Sequence, residues 1–115
     1  MELPREAVAL RIYIGEDTRF GWHSLYEAIV NKAREMQLAG ATVLRGPMGF
    51  GHSGELHTAK ILNLAENLPV VIEIVDTQAK VDVFLPVLNG MMSSGLITLE
   101  KIQVLQYGQP GSAKI

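Results

Sequence analysis

The segment PVVIEIVD, residues 69–76, consists mainly of β-branched side chains and is interrupted by Glu73. Such residues favour strands, and apolar side chains at both alternating sets of positions predict a strand buried on both faces, in the middle of a sheet. A buried carboxylate without a partner is costly. We therefore expect Glu73 either to line a cleft between subunits or to pair with a lysine or arginine across the sheet.

Three further strands are predicted around this one. Residues 7–15, 41–46 and 96–108 are rich in β-branched and apolar side chains or alternate between apolar and polar ones. The segment 58–68 suits a short strand or a helical turn equally, so its structure stays open at this point.

The first helix is predicted between Ser24 and Gly40. Ser24 and Glu27 form the S-x-x-E pattern of a capping box, in which the serine oxygen accepts from an early amide and the glutamate reaches back. Apolar residues follow at helical spacing, and Gly40 stands where a helix end favours a positive φ.

The second helix is expected to begin with Asp76 or Thr77 as its cap. Its apolar face consists of Val81, Phe84, Leu85 and Leu88. Pro86 lies inside this pattern, and because it lacks an amide and crowds the preceding turn, it should kink or divide the helix.

The elements therefore run strand–helix–strand twice. This order predicts an α+β fold, a ferredoxin-like βαββαβ sandwich with an antiparallel sheet and both helices on one face. The 115 residues suit a single domain. Residues from about 109 to 115 are expected to form a frayed tail.

The composition is that of a globular domain. Hydrophobic residues make up 48%, charged residues 19%, and the net charge is −2, which argues against disorder and against a basic nucleic-acid surface. The absence of cysteine excludes disulfides and thiolate metal sites. Neither a signal peptide nor an apolar run of membrane length is evident, so we expect a cytoplasmic protein without direct membrane insertion.

Residues 49–54, GFGHSG, spell the G-x-G-x-x-G pattern of dinucleotide-binding turns. That fingerprint requires a preceding strand and a helix that opens at the last glycine, within a parallel sheet. Here it lies between the second and third predicted strands, where the predicted fold has a hairpin. We therefore interpret the match to the G-x-G-x-x-G pattern as a coincidence.

The same glycine-rich segment contains most of the candidate ligand residues. Arg45 could hold a phosphate by a forked contact or pair with a surface acid. The glycine amides could form an anion-binding nest or only make the segment flexible. Phe50 suits stacking on a base or docking on a partner better than it suits a core. The predicted ligand-binding residues are Arg45, Gly46, Gly49, Phe50, Gly51, His57 and Glu73.

Metal binding and catalysis are the alternatives. His52 and His57 lie five residues apart and, with His23, could bind a metal, although no acid or cysteine completes an obvious set. Glu16 and Asp17 could form a carboxylate pair for acid–base chemistry, but they suit a turn after a strand. No serine has the context of a nucleophile elbow. We expect no catalytic residues and no enzymatic activity, with a small hydrolase as a further alternative.

Six segments closely resemble one bacterial and archaeal family: RIYIGE, LYEAIV, AGATVLRGPMGFG, LHTAKIL, LPVVIEIVD and GLITLEKI. This is the PII-like domain-of-unknown-function family numbered one hundred and ninety, in the superfamily of nitrogen-regulatory PII and divalent-ion tolerance proteins. The resemblance covers about residues 8–107.

The resemblance implies a ferredoxin-like subunit in a homotrimer, with an adenine nucleotide bound between subunits. It also implies that a flexible arm, about residues 46–60, contacts a partner. The family's genes often lie beside fluoride-channel genes, which suggests a transporter or a fluoride channel as the partner. The stretch MMSSGLI stands where PII proteins have a phosphate loop rich in glycine and lysine, and it has no basic residue. A ligand with less charge than a triphosphate, such as AMP or ADP, is therefore expected.

Overall fold

The computed structural model describes residues 3–59, 67–109 and 113–114. The main elements are β1 (Glu6–Gly15), α1 (Leu25–Glu35), β2 (Gly40–Arg45), β3 (Pro69–Asp76), α2 (Gln78–Met91) and β4 (Leu96–Gln103). Short two-residue strands also pair in the described part of the chain: Leu3–Pro4 with Ala113–Lys114, Arg19–Phe20 with His23–Ser24, and Met48–Gly49 with His57–Thr58.

The four long strands form one antiparallel sheet in the order β2-β3-β1-β4. Each helix connects two strands that have a third strand between them, which is the split β-α-β arrangement. Both helices pack on the same face of the sheet, because their buried side chains share one cluster with side chains of β1 and β3. The predicted ferredoxin-like βαββαβ sandwich is confirmed.

The helix-covered face of the sheet contains the main core. Leu10 and Ile12 of β1 and Ile72 and Ile74 of β3 are fully buried there. The most deeply buried helical residues are Leu25, Ile29, Val81, Phe84 and Leu88. Burying an aliphatic or aromatic side chain of this size stabilises the fold by about 1.5–3 kcal/mol, so this layer holds the subunit together.

The opposite face of the sheet carries no helix, and within one subunit it differs from the prediction for β3. The even-numbered residues of β3 are buried and the odd-numbered ones are only partly buried, so the fold of a single subunit covers only one face of the strand. Directly paired residues share a face. We call this surface the open face, and it comprises Ala7, Ala9, Arg11, Tyr13, Thr42, Leu44, Val71, Glu73, Val75, Leu96, Thr98, Glu100 and Ile102.

Helix α1 lies where the sequence predicts it, but its ends differ from the prediction. Ser24 is the N-cap, yet its side chain makes no capping hydrogen bond, and its Oγ atom is buried without a partner. The predicted capping box with Glu27 is therefore not formed. The helix ends at Glu35, and Gln37, with φ 60°, takes the positive φ expected at Gly40. Gly40 instead begins β2.

Helix α2 begins at one of the two predicted caps. The Thr77 side chain accepts a hydrogen bond from the Lys80 amide at 3.2 Å. The buried Asp76 carboxylate accepts from the amides of Thr77 at 2.6 Å and Ala39 at 2.8 Å. The helix runs through Pro86 without a break, so the proline does not divide it.

For three further segments, the structure adds detail to the predictions. β4 ends at Gln103 rather than at residue 108. In the tail, the backbone of Ala113–Lys114 pairs in parallel with Leu3–Pro4. Within the segment 58–68, Thr58 belongs to a short strand, and residues 60–66 lie outside the described residues.

Candidate functional site

Three loops open at the same end of the sheet. The strand register places Gly15 opposite Pro69, Arg45 opposite Val70, and Tyr13 opposite Leu96. The loop after β1, the arm after β2 and the loop before β4 therefore all start or finish at this end, which we call the arm end.

Two glycines of the arm pack closely against Pro69. A Cβ atom at Gly46 would lie 3.2 Å from Pro69 Cγ, and one at Gly49 would lie 3.0 Å from it. The Gly46 amide donates to the Pro69 carbonyl at 2.8 Å, and the Gly54 amide donates to the Gly51 carbonyl at 2.9 Å. These two amides are already satisfied within the chain, which leaves less of the predicted glycine nest available for an anion.

Arg45 pairs with an acid inside the chain. Its Nη2 atom contacts Glu16 Oε1, and the Arg45 side chain is 58% exposed while that of Glu16 is 20% exposed. The sequence left a phosphate contact and a surface ion pair open for Arg45, and the structure shows the ion pair. The guanidinium carries further N–H donors, because arginine has five.

The turn after β1 is tied to the far side of the arm. The Asp17 amide donates to Asn67 Oδ1 at 2.9 Å, and the Asn67 amide donates to Asp17 Oδ2 at 2.8 Å. The Glu16 amide donates to the Leu68 carbonyl at 2.8 Å. A Cβ atom on Gly15 would lie only 2.1 Å from Asn67 Oδ1, so this packing needs glycine. Sequence reasoning treated Glu16 and Asp17 as ordinary turn residues and missed these contacts.

Phe50, His52 and His57 lie on the arm itself, whereas His23 lies in the short hairpin before α1. Phe50 is 73% exposed, in agreement with the expectation that it does not belong to a core. His57 is partly buried and pairs with Gly49 in the short hairpin, whereas His52 is exposed in the turn. Across residues 3–59, 67–109 and 113–114, no group of three metal-binding side chains comes together.

Glu73 lies away from the arm, in the middle of the open face. It is four residues along β3 from Pro69, which corresponds to about 13 Å in a strand. Its Oε2 atom accepts from Arg11 Nε at 2.8 Å, and Glu100 Oε1 accepts from Arg11 Nη1 at 2.9 Å. The hydrogen bonds that Arg11 donates to Glu100 and Glu73 raise the pKa of Arg11 above its usual value. Glu73 therefore pairs across the sheet, one of the two alternatives predicted for it.

The loop before β4 brings no positive charge to the arm end. It is formed by residues 92–95, which contain no lysine, arginine or histidine. Gly95 adopts φ +137°, and a Cβ atom there would lie 2.9 Å from the Tyr13 carbonyl oxygen. A glycine is therefore needed for the chain to pass close to β1 at this point.

A surface groove of about 690 Å³ lies at the other end of the sheet. Its lining includes Glu6, Gln78 and Lys101, and none of its lining residues belongs to the predicted ligand set. It is open rather than enclosed, and its charged residues have both signs. We therefore treat the arm end as the candidate site.

No helix among the described elements has the length and apolar character needed to cross a membrane.

The family described as "Uncharacterized ACR", the domain-of-unknown-function family 190, matches residues 7–104. The chain belongs to this family. A "UPF0166 protein" of Aquifex aeolicus is 40% identical over 96 residues, which cover 84% of this chain and 90% of the relative. A UPF0166 protein of Methanocaldococcus jannaschii is 33% identical over 100 residues, which cover 86% of this chain and 92% of the relative.

Solved structures of PII-like proteins share the fold of this family member. The nitrogen regulatory PII-like protein CPII of Thiomonas intermedia K12, solved with ADP, AMP and bicarbonate, has a TM-score of 0.60 at 16% identity and covers 86% of this chain and 88% of its own. A putative PII-like signalling protein of Thermus thermophilus has a TM-score of 0.61 at 15% identity, covering 90% and 93%. The divalent ion tolerance protein CutA1 of Ehrlichia chaffeensis has 0.56 at 13%, covering 94% and 87%. None of these names denotes an enzymatic activity.

Proposed function

We propose that this chain is a PII-like regulatory protein that assembles as a homotrimer and binds an adenine nucleotide such as AMP or ADP between subunits. The observation that carries the proposal is the exposed guanidinium of Arg45 at the point where β2 leads into the arm. A fold neighbour of the PII-like class is known with ADP and AMP bound, which supports this class of ligand.

The charge available at the arm end favours a short phosphate chain. Arg45 can offer a charge-assisted contact, and such contacts are about twice as strong as neutral hydrogen bonds. The loop 92–95 adds no cation. Phe50, exposed between two glycines, offers an aromatic face for the base. One or two phosphates suit this set better than three.

The open face supports assembly with further copies of the chain. It combines the Arg11 ion network with exposed apolar side chains of Tyr13, Leu44 and Leu96. Apolar surface that is contiguous and exposed in one subunit commonly marks an interface. β2 and β4 are also the edges of the sheet, and such edges favour pairing with another chain.

The regulatory step would be a change in the arm. A ligand at Arg45 would order or release the arm, and a partner would recognise the change. The partner we propose is a transporter or channel, a fluoride channel among the candidates, and it would contact the arm.

The test is a titration of AMP, ADP, ATP and cyclic AMP into the protein, followed by native mass spectrometry and isothermal titration calorimetry. For Arg45→Ala we expect AMP or ADP to bind about 10- to 100-fold more weakly, because a hydrogen bond to a charged group contributes about 1.5–3 kcal/mol. Arg34→Ala, an exposed helical arginine, is the matched control and should bind normally. Equal affinity of the Arg45 variant and the wild type would contradict the proposal.

A further inference from the structure

The turn that follows β1 contacts the chain on both sides of the arm. Before the arm, Arg45 pairs with the Glu16 carboxylate. After it, Leu68 accepts from the Glu16 amide at 2.8 Å, and Asn67 exchanges two hydrogen bonds with Asp17. We call Glu16 and Asp17 the acidic clamp. These two residues contact Arg45, just before the arm, and Asn67 and Leu68, which follow it.

The clamp occupies one of the guanidinium nitrogens that the proposed ligand would contact. Arg45 Nη2 already pairs with Glu16 Oε1, and the Glu16 side chain is mostly covered while that of Arg45 is largely exposed. A phosphate that made a forked contact through Nη2 would compete with this carboxylate.

We propose that Glu16 is a built-in competitor for Arg45, which sets the affinity of the arm end for anionic ligands. The inference rests on the proposed function, since it assigns a regulatory residue to the same site. An anion binds by drawing Arg45 away from Glu16. The ion pair that holds the start of the arm is then broken in the same event.

Glu16 also connects its ion pair with Arg45 to the part of the chain that follows the arm. Its side chain holds Arg45, and its amide holds Leu68, so one residue contacts both sides. The neighbouring Asp17–Asn67 pair does not involve Arg45 and remains formed when the ion pair breaks. Ligand exchange at Arg45 therefore removes the side-chain contact at the start of the arm, where the hydrogen bond from the Gly46 amide to the Pro69 carbonyl remains, while the Asp17–Asn67 pair after the arm stays formed.

The experiment is isothermal titration calorimetry with ADP on the wild type, Glu16→Gln and a matched control, Glu27→Gln, which removes the same charge from an exposed position of α1. We expect Glu16→Gln to bind ADP about threefold to tenfold more tightly, because a partly exposed ion pair no longer has to be broken. Glu27→Gln should match the wild type within about twofold.

The direction of the change separates competition from a structural role. If Glu16 only supported the fold of the site, its replacement would weaken binding. Glu16→Asp, which keeps the charge and shortens the side chain, provides a second variant that should fall between the wild type and Glu16→Gln. The double variant Glu16→Gln/Arg45→Ala has no arginine for which residue 16 and the ligand could compete. We therefore expect it to bind ADP as weakly as Arg45→Ala does.

The outcomes distinguish this inference from the proposed function. If the wild type binds ADP and Glu16→Gln binds it equally or more weakly, the competitor role is wrong and the proposed function stands. A gain of affinity from Glu16→Gln that persists in the Arg45→Ala background would also overturn it. If neither the wild type nor any variant binds ADP or AMP, both proposals fail.

Discussion

The two faces of the central sheet are formed by the same four strands but are built differently. Under the helices, Leu10 and Ile72 pair with other apolar residues and are fully buried. On the open face, the neighbouring positions Arg11 and Glu73 form an ion network, and Tyr13 is exposed. One face therefore supplies the cohesion of the subunit, and the other offers charge and apolar surface to a neighbour.

The first prediction tests the covered face. Phe84 is fully buried in α2, and Phe84→Ala should lower the free energy of unfolding by about 3–5 kcal/mol, since it removes a large side chain and leaves a cavity. Urea denaturation followed by circular dichroism measures this loss. Val83→Ala, at the exposed neighbouring position, should cost little. Similar losses in both variants would show that the covered face is not the main source of stability.

The second prediction tests the open face. Arg11→Met leaves Glu73 and Glu100 without their shared cation, and if this face lies between subunits, association should weaken at least about 30-fold. Sedimentation velocity over a concentration series measures it, with Arg34→Met as the control. Because the pKa of Arg11 is raised, its charge is present at all lower pH values and lost only in strongly alkaline solution, so association should not change with pH through this group. Unchanged association of Arg11→Met would mean that the network is not in the interface.

The third prediction compares the starts of the two helices that make the covered face. Thr77→Ala removes a formed cap and should destabilise the protein by about 1 kcal/mol. Ser24→Ala removes a hydroxyl that caps nothing, so it should leave stability unchanged or raise it slightly. Thermal unfolding of the two variants gives the comparison, and an equal loss in both would show that Ser24 does cap α1 in solution.

The order of elements could be predicted because local patterns specify it. β-branched runs marked β1, β2 and β3, and helical spacing with Thr77 as a cap marked α2. The predicted details that differ from the structure depend on tertiary contacts. Whether the second face of β3 is covered depends on the helices, and both lie on one side. Glycine favours positive φ, but α1 ended early and Gln37 took that conformation.

The candidate site could be predicted only in part. Arg45 and the exposed Phe50 could be selected because their residue types suit a ligand and their segment resembles an arm. Their partners could not, because the contacts join residues far apart in sequence. Asp17 and Asn67 are 50 positions apart, and Arg11 and Glu73 are 62 apart. Nothing in the local sequence indicates which acid meets which arginine.

The hairpin formed by Arg19–Phe20 and His23–Ser24 has a practical consequence. Its turn holds Trp22, the single tryptophan of the chain, which is 93% exposed, and Arg19 Nη2 donates to its carbonyl oxygen at 2.7 Å. The indole is already in water in the folded state, so its fluorescence emission maximum should hardly move when the core melts. The same indole would shift to the blue if another molecule covered the hairpin. The emission maximum of Trp22 should therefore report contacts at the arm end and shift little on unfolding.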